Sequence, residues 1–158
     1  MHSNPPLSLY VHLPWCVRKC PYCDFNSHAL KGDLPEADYA DALLRDLQRD
    51  LPRVEGRNLQ SVFFGGGTPS LFRPETIARI LDETRHCLPF IDNAEITLEA
   101  NPGTVERGRF AEYQAAGITR LSIGVQSFDT QHLQILGRIH SVDEAVHAAE
   151  EAHAAGLD

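Results

Sequence analysis

Three of the four cysteines, Cys16, Cys20 and Cys23, fall within eight positions, spaced C-x3-C-x2-C in the run HLPWCVRKCPYCDFN. Thiolates crowded this closely make a poor disulfide framework and a better set of metal ligands. Three of them can hold three corners of a four-iron, four-sulfur cubane and leave the fourth iron open to another ligand, and an open iron can do chemistry. The fourth cysteine, Cys87, stands 64 residues after Cys23, so a closed four-cysteine site would have to draw it from a distant element. Two other uses of the same residues stay open: a Cys3His zinc site completed by His12 or His28, and a Cys20 to Cys23 redox pair. The second lacks the helix that such a pair usually begins.

A second feature is the run FFGGGTPS, in which Gly65, Gly66 and Gly67 precede Thr68 and Pro69. Without Cβ atoms a turn can bring backbone N–H and C=O groups against a ligand and can adopt positive φ. The run lacks the lysine and the spacing of a phosphate-binding loop, and taken alone it also fits a tight turn. Glu99 and Gln126 each follow a short β-forming run, which would bring both to the rim that the glycines and cysteines share. Singly, such residues are ordinarily solvated or bond to a loop. Of the eight histidines, His140 in GRIH is the best placed for a role, with an ordinary loop histidine as the alternative. His147 and His153 read as the solvated face of an alanine-rich helix.

The elements that must position these residues alternate. LSLYVHL (7–13) reads as a strand running into Pro14 and the cysteine loop, which extends to about residue 34. Apolar residues at helical spacing predict a helix over 36–51, stopped by Pro52. LQSVFF (59–64) is a second strand ending in the glycines, and Pro74 opens a helix whose stripe is Ile77, Ile80, Leu81 and Leu88, with Pro89 as terminator. EITLEA (95–100) is a third strand closed by Asn101, Pro102 and Gly103. A helix follows from Thr104, a candidate N-cap, to Ala116, with Gly117 as its stop. RLSIGVQ (120–126) is a fourth strand, and helical patterns cover 129–136 and 142–155. Gly156 reads as a C-cap, and Leu157 and Asp158 as the approach to a fifth strand. This βα alternation predicts an α/β protein with parallel strands and outer helices. Four such units amount to part of a barrel that typically takes about 250 residues.

The chain has 158 residues with 42% apolar and 23% charged side chains, enough to bury one core. Its 22 acidic against 14 basic residues give a formal charge of -8, which repels phosphate backbones and argues against nucleic acid as a partner. No window approaches eighteen apolar residues, so no integral membrane segment is expected. The N-terminus lacks the build of a secretory signal, so a cytoplasmic location is expected.

The segment YVHLPWCVRKCPYCDFNS (10–27), followed in order by the glycine run, Glu99, Gln126 and Arg138, resembles the radical S-adenosylmethionine superfamily. More narrowly it resembles the coproporphyrinogen III dehydrogenase-like group and its heme-chaperone branch, over residues 7–158. The resemblance implies a partial (β/α) radical S-adenosylmethionine barrel, with residues 1–158 as the N-terminal part of its core domain. It implies a 4Fe-4S cluster on Cys16, Cys20 and Cys23, with S-adenosylmethionine chelating the open iron. One electron from the cluster then cleaves that cofactor to methionine and a 5'-deoxyadenosyl radical. It carries over Tyr10, Gly66, Gly67, Thr68, Glu99, Gln126 and Arg138 as S-adenosylmethionine-binding positions and Tyr22 as an adenine neighbour. Heme, a heme-acceptor protein and a reductant for the cluster are the implied partners. Within the group, the dehydrogenases carry a further cysteine two residues after the third cluster cysteine, where this chain has Phe25, and a longer segment ahead of the position of Tyr10. Both differences favour a heme chaperone over the alternative, an oxygen-independent coproporphyrinogen III oxidase that decarboxylates propionate side chains.

Overall fold

The computed structural model describes residues 5–54, 56–103 and 109–158. Its main sheet contains β1 (Leu7–Leu13), β4 (Leu59–Gly66), β5 (Phe90–Ala100) and β6 (Arg120–Ile123) in that spatial order, every pair parallel. A two-residue parallel ladder of β2 (Trp15–Cys16) and β3 (His28–Ala29) stands apart from it. The helices are α1 (Glu36–Asp50), α2 (Pro74–Cys87), α3 (Phe110–Ala115), α4 (Thr130–Ile135) and α5 (Val142–Ala154). This is part of a (β/α) barrel with four βα units, as the alternation of patterns predicts.

Side chains of successive strand residues point to opposite faces, and the two faces differ here. Val11, Leu13, Leu59, Val62, Phe64, Ile96, Leu98 and Leu121 are buried, and they join Ile77, Ile80 and Leu81 of α2 and Phe110 and Tyr113 of α3 in one core. The opposite face carries Ser8, Tyr10 and His12 on β1 and Ser61 and Phe63 on β4. There Ser61 Oγ donates to Ser8 Oγ at 2.8 Å, and the rings of Tyr10 and Phe63 stack with centroids 6.3 Å apart. Parallel strands force their helices to one side, and the polar face so left lines the inside of the partial barrel.

Neighbouring helices are tied by polar residues. Glu36 Oε2 accepts from the Arg73 N–H at 3.0 Å and the Thr76 hydroxyl at 2.6 Å, so the first turn of α1 satisfies donors at the start of α2. Arg79 pairs with Asp41 between the same helices. Ser141 and Glu144 form a reciprocal capping box at the start of α5.

Several expected boundaries shift. β5 begins at Phe90, five residues before the expected start. Phe90 pairs with Leu59, and the polar residues Asp92 and Asn93 are absorbed at a register irregularity, with Asn93 at φ +59°. The fourth strand stops at Ile123 rather than Gln126, because the chain turns at Gly124. Thr104 lies outside the described residues. Leu157 and Asp158, read as the approach to a fifth strand, form no strand among the described residues, although the Leu121 N–H donates to Asp158 O at 2.9 Å.

Candidate functional site

The cysteine loop leaves β1 at Pro14 and is closed at its neck by β2 and β3, where the His28 N–H donates to Pro14 O at 2.7 Å and the Leu30 N–H to Cys16 O at 2.8 Å. Inside the loop the Cys23 N–H donates to Cys20 O at 3.1 Å. Lys19 Nζ reaches across to Phe25 O and Ser27 O at 3.0 and 3.1 Å, bracing the two limbs. Nothing in the sequence distinguished Lys19 for that task. Cys16, Cys20 and Cys23 are all free thiols, partly exposed, and face one cavity.

The glycine turn lies directly against this loop. The Gly67 N–H donates to Leu13 O at 2.9 Å and the Thr68 N–H to Trp15 O at 2.7 Å. A Cβ on Gly67 would stand 2.6 Å from Trp15 O, and one on Gly66, at φ +118°, would stand 2.7 Å from the His12 ring. The space that glycine keeps free is therefore filled first by the chain's own β1 end, so the turn seats the cysteine loop as well as facing the cavity. His12 is spent in the same joint. Its Nδ1 accepts from the Tyr10 hydroxyl and its Nε2–H donates to Asn26 O, each at 2.9 Å. Both ring nitrogens are thus engaged, which does not suit the zinc-ligand role that the spacing had left open for His12.

On the other side of the turn, Glu99 at the end of β5 accepts from the Gly66 N–H at 3.1 Å. Burial pushes its carboxyl above the ordinary range, against the pull of that N–H and of His12. Burial, and then the charge of Glu99, push the Tyr10 phenol up. Asn101 Nδ2 donates to Thr68 Oγ1 at 2.9 Å, while Asn101 Oδ1 accepts from the Arg138 guanidinium. Arg138 also donates to Gly124 O at 2.7 Å and to Cys20 Sγ at 3.3 Å. One asparagine thus joins the glycine turn to the arginine, a role hidden in the sequence by its place in an Asn-Pro-Gly strand ending. Burial raises the Tyr22 phenol, with Arg138 pulling it down and Cys20 pushing it up, which puts Tyr22 at the same corner.

These groups line an open cavity of about 210 Å³. Around it stand Cys16, Cys20, Cys23, Tyr22, Gly66, Gly67, Thr68, Glu99, Gln126 and Arg138, together with Phe25, Asn101 and Gly124. Tyr10 alone of the expected binding residues is outside the lining, on β1 beside Glu99 and 56% exposed. Gln126 reaches the cavity from a turn beyond β6, with φ +69°. Cys87 sits on α2, where its thiol contacts the carbonyls of Glu83 and Thr84. His140 is buried with Nε2 on Val125 O, whereas His147 and His153 are exposed on α5.

Among the described residues no three His, Cys, Asp or Glu side chains stand close enough to share one metal ion, but the chemistry of the donors fits a larger iron–sulfur group with an amino-acid ligand. Three thiols share one wall, the glycine turn and Glu99 offer acceptors and a negative charge, and Arg138 offers a cation whose Nε is buried without a partner among the described residues.

A parallel βα sheet with a three-cysteine loop after its first strand and a glycine turn after the next defines a class, and this chain belongs to the radical SAM superfamily, whose family model matches residues 10–158. It is 59% identical over 161 residues to the heme chaperone HemW of Haemophilus influenzae and 57% identical over 157 residues to that of Escherichia coli, each match covering 99% of this chain and 42% of the relative. The coproporphyrinogen III oxidase HemN of Escherichia coli, a radical SAM enzyme, superposes with a TM-score of 0.86 at 30% identity, over 96% of this chain and 35% of that chain. The chain therefore spans well under half the length of these relatives, and its identity to the chaperones is about twice its identity to the oxidase. Among the described residues no helix is long and apolar enough to cross a membrane.

Proposed function

We propose that this chain carries the cluster-binding and S-adenosylmethionine-binding part of a heme chaperone, as the N-terminal part of a radical S-adenosylmethionine core domain working in the cytoplasm. The observation that carries this reading is the single cavity on which three thiols, the glycine turn, Glu99 and Arg138 converge. Cys16, Cys20 and Cys23 hold a 4Fe-4S cluster. When bound, cluster and S-adenosylmethionine together supply one-electron reductive chemistry.

The chain's own residues bind and orient. Glu99 offers a carboxylate to the ammonium of the methionine moiety, and Arg138 offers a guanidinium to its carboxylate. Gly66, Gly67, Thr68 and Gln126 complete the cradle, Tyr22 neighbours the adenine, and Tyr10 stands beside Glu99 with its hydroxyl bonded to His12. Heme, a heme-acceptor protein and an electron donor are the partners in this reading.

Phe25 supports the chaperone over the oxidase: it is 62% exposed on the cavity rim, where the dehydrogenase pattern has a cysteine. A large apolar ring there offers a neighbour contact area and no ionisable thiol. The likeness of this fold to the oxidase HemN keeps the second reading, radical decarboxylation of coproporphyrinogen III, in contention. Anaerobic reconstitution of the protein, followed by incubation with heme or with coproporphyrinogen III, tests both. Heme binding without carbon dioxide release is expected. Carbon dioxide formed in step with 5'-deoxyadenosine would overturn the chaperone reading.

A further inference from the structure

The connector between α4 and α5 is fixed at both ends. The N–H groups of Gly137 and Arg138 donate to Gln134 O and Leu133 O at 3.0 and 2.9 Å, with Gly137 at φ +68°. At the far end, Ser141 Oγ accepts from the Glu144 N–H while Glu144 Oε2 accepts from the Ser141 N–H. What lies between is clamped onto the turn that bears Gln126.

That turn is strained. Gln126 at φ +69° is spanned by a hydrogen bond from the Ser127 N–H to Val125 O at 2.9 Å, a three-residue turn of the uncommon hand. A non-glycine residue keeps such a conformation only where its surroundings over-determine it. Two successive carbonyls of the turn are held by connector side chains: Gly124 O by Arg138 at 2.7 Å and Val125 O by His140 Nε2 at 3.0 Å. A carbonyl only accepts, so Nε2 carries the proton. His140 is only 5% exposed, and burial, reinforced by the Arg138 cation, holds its pKa below the usual value against the pull of Val125 O and Glu144.

We propose that His140 is a positioning residue for the cofactor cradle, its neutral imidazole holding the positive-φ turn that presents Gln126 to the cavity. Arg138 reaches the cysteine loop and the cavity directly, whereas His140 acts through the Val125 carbonyl. The proposal rests on the reading of Gln126 as an S-adenosylmethionine-binding residue.

The test compares His140→Gln with His140→Asn in the cluster-reconstituted protein. Glutamine carries its amide nitrogen where Nε2 stands, while asparagine places it near Nδ1, short of Val125 O. S-adenosylmethionine affinity is read from the perturbation of the reduced cluster's electron paramagnetic resonance spectrum. At equal iron content the Gln variant should bind within about threefold of wild type and the Asn variant about tenfold more weakly, the loss expected for one neutral hydrogen bond. In a Gln126→Ala background that difference should vanish. Equal affinities for the two variants, or a tenfold gap that survives Gln126→Ala, would overturn the proposal. A wild-type protein that holds its cluster but does not bind S-adenosylmethionine brings down the cofactor reading along with it. Wild-type binding with no Gln-to-Asn difference removes the role of His140 alone. Amide exchange of Ser127 is read without ligand. It should stay at the wild-type rate in the Gln variant even if the Asn variant fails to fold, and faster exchange in the Gln variant counts against the proposal.

Discussion

The glycine turn and the cysteine loop face each other across one cavity and are built in opposite ways. The turn is buried from Gly65 through Ser70 apart from its two cavity-facing glycines, with Thr68 bound by Asn101 and the Ser70 and Phe72 carbonyls held by the Tyr113 hydroxyl at 2.7 and 2.6 Å. The loop is mostly exposed, with its three thiols half-buried, and it is braced by Lys19 and a few backbone hydrogen bonds. Close packing fixes a backbone to a fraction of an ångström, while a solvated loop keeps freedom that ligation can take up. One wall of the site is thus fixed by close packing, and the other is a solvated loop with few braces.

This contrast sets an order of effects on the stability of the cluster-free protein. Gly67→Ala drives a Cβ onto the Trp15 carbonyl and Pro14 backbone, so chemical denaturation should show a loss of about 3 kcal/mol. A loss under about 1 kcal/mol would mean that the turn yields as easily as the loop. Thr68→Val leaves Asn101 Nδ2 without that acceptor and should cost about 1 kcal/mol by the same measurement. Cys20→Ala should cost less still, under about 0.5 kcal/mol, because its half-buried thiol gives up only a weak sulfur acceptor for Arg138, whose other hydrogen bonds remain. Reconstituted with iron and sulfide, that variant should nonetheless lose its cluster, while Cys87→Ala retains about four irons per chain. The reverse result would place the cluster elsewhere.

The smallest effect concerns pH. The Glu99 carboxyl is held above its ordinary value, chiefly by burial. The folded state therefore binds that proton more tightly than the unfolded chain, and stability falls as pH rises from the ordinary Glu range through the raised value. Glu99→Gln keeps an acceptor for the Gly66 N–H without this dependence. Its melting temperature should match wild type near about pH 4 and exceed it slightly toward pH 7. Level curves across that range would show Glu99 to be as well solvated as an ordinary surface carboxylate.

Strong local signals made much of this molecule legible in its sequence. The strand 7–13 has the same bounds in the structure because Pro14 ends it, and α2 starts at Pro74 as expected. The cysteines and glycines announced themselves by spacing. Non-local relations left no such mark. Asn101 matters through Thr68 and Arg138, partners 33 and 37 residues away, while its neighbours Pro102 and Gly103 advertise only a turn. Lys19 looked like an ordinary solvated charge because its acceptors are backbone carbonyls, which every sequence contains. The end of β6 was misplaced because Val125 and Gln126 continue an alternating pattern while the backbone has already turned at Gly124.

The two-residue ladder at the neck of the cysteine loop also bears on how a metal cluster assembles. With Pro14 and Cys16 bonded to His28 and Leu30, the chain has already met the entropic cost of drawing the loop's ends together. In the reading in which Cys16, Cys20 and Cys23 hold a cluster, capture by a first thiolate would leave the other two as tethered ligands at high effective concentration, a chelate advantage. Because the closure term grows only logarithmically, doubling the ring by insertion should weaken capture by no more than about threefold. Unfastening the neck leaves the thiols tethered only through the backbone between them, so capture then bears the cost of ordering the loop.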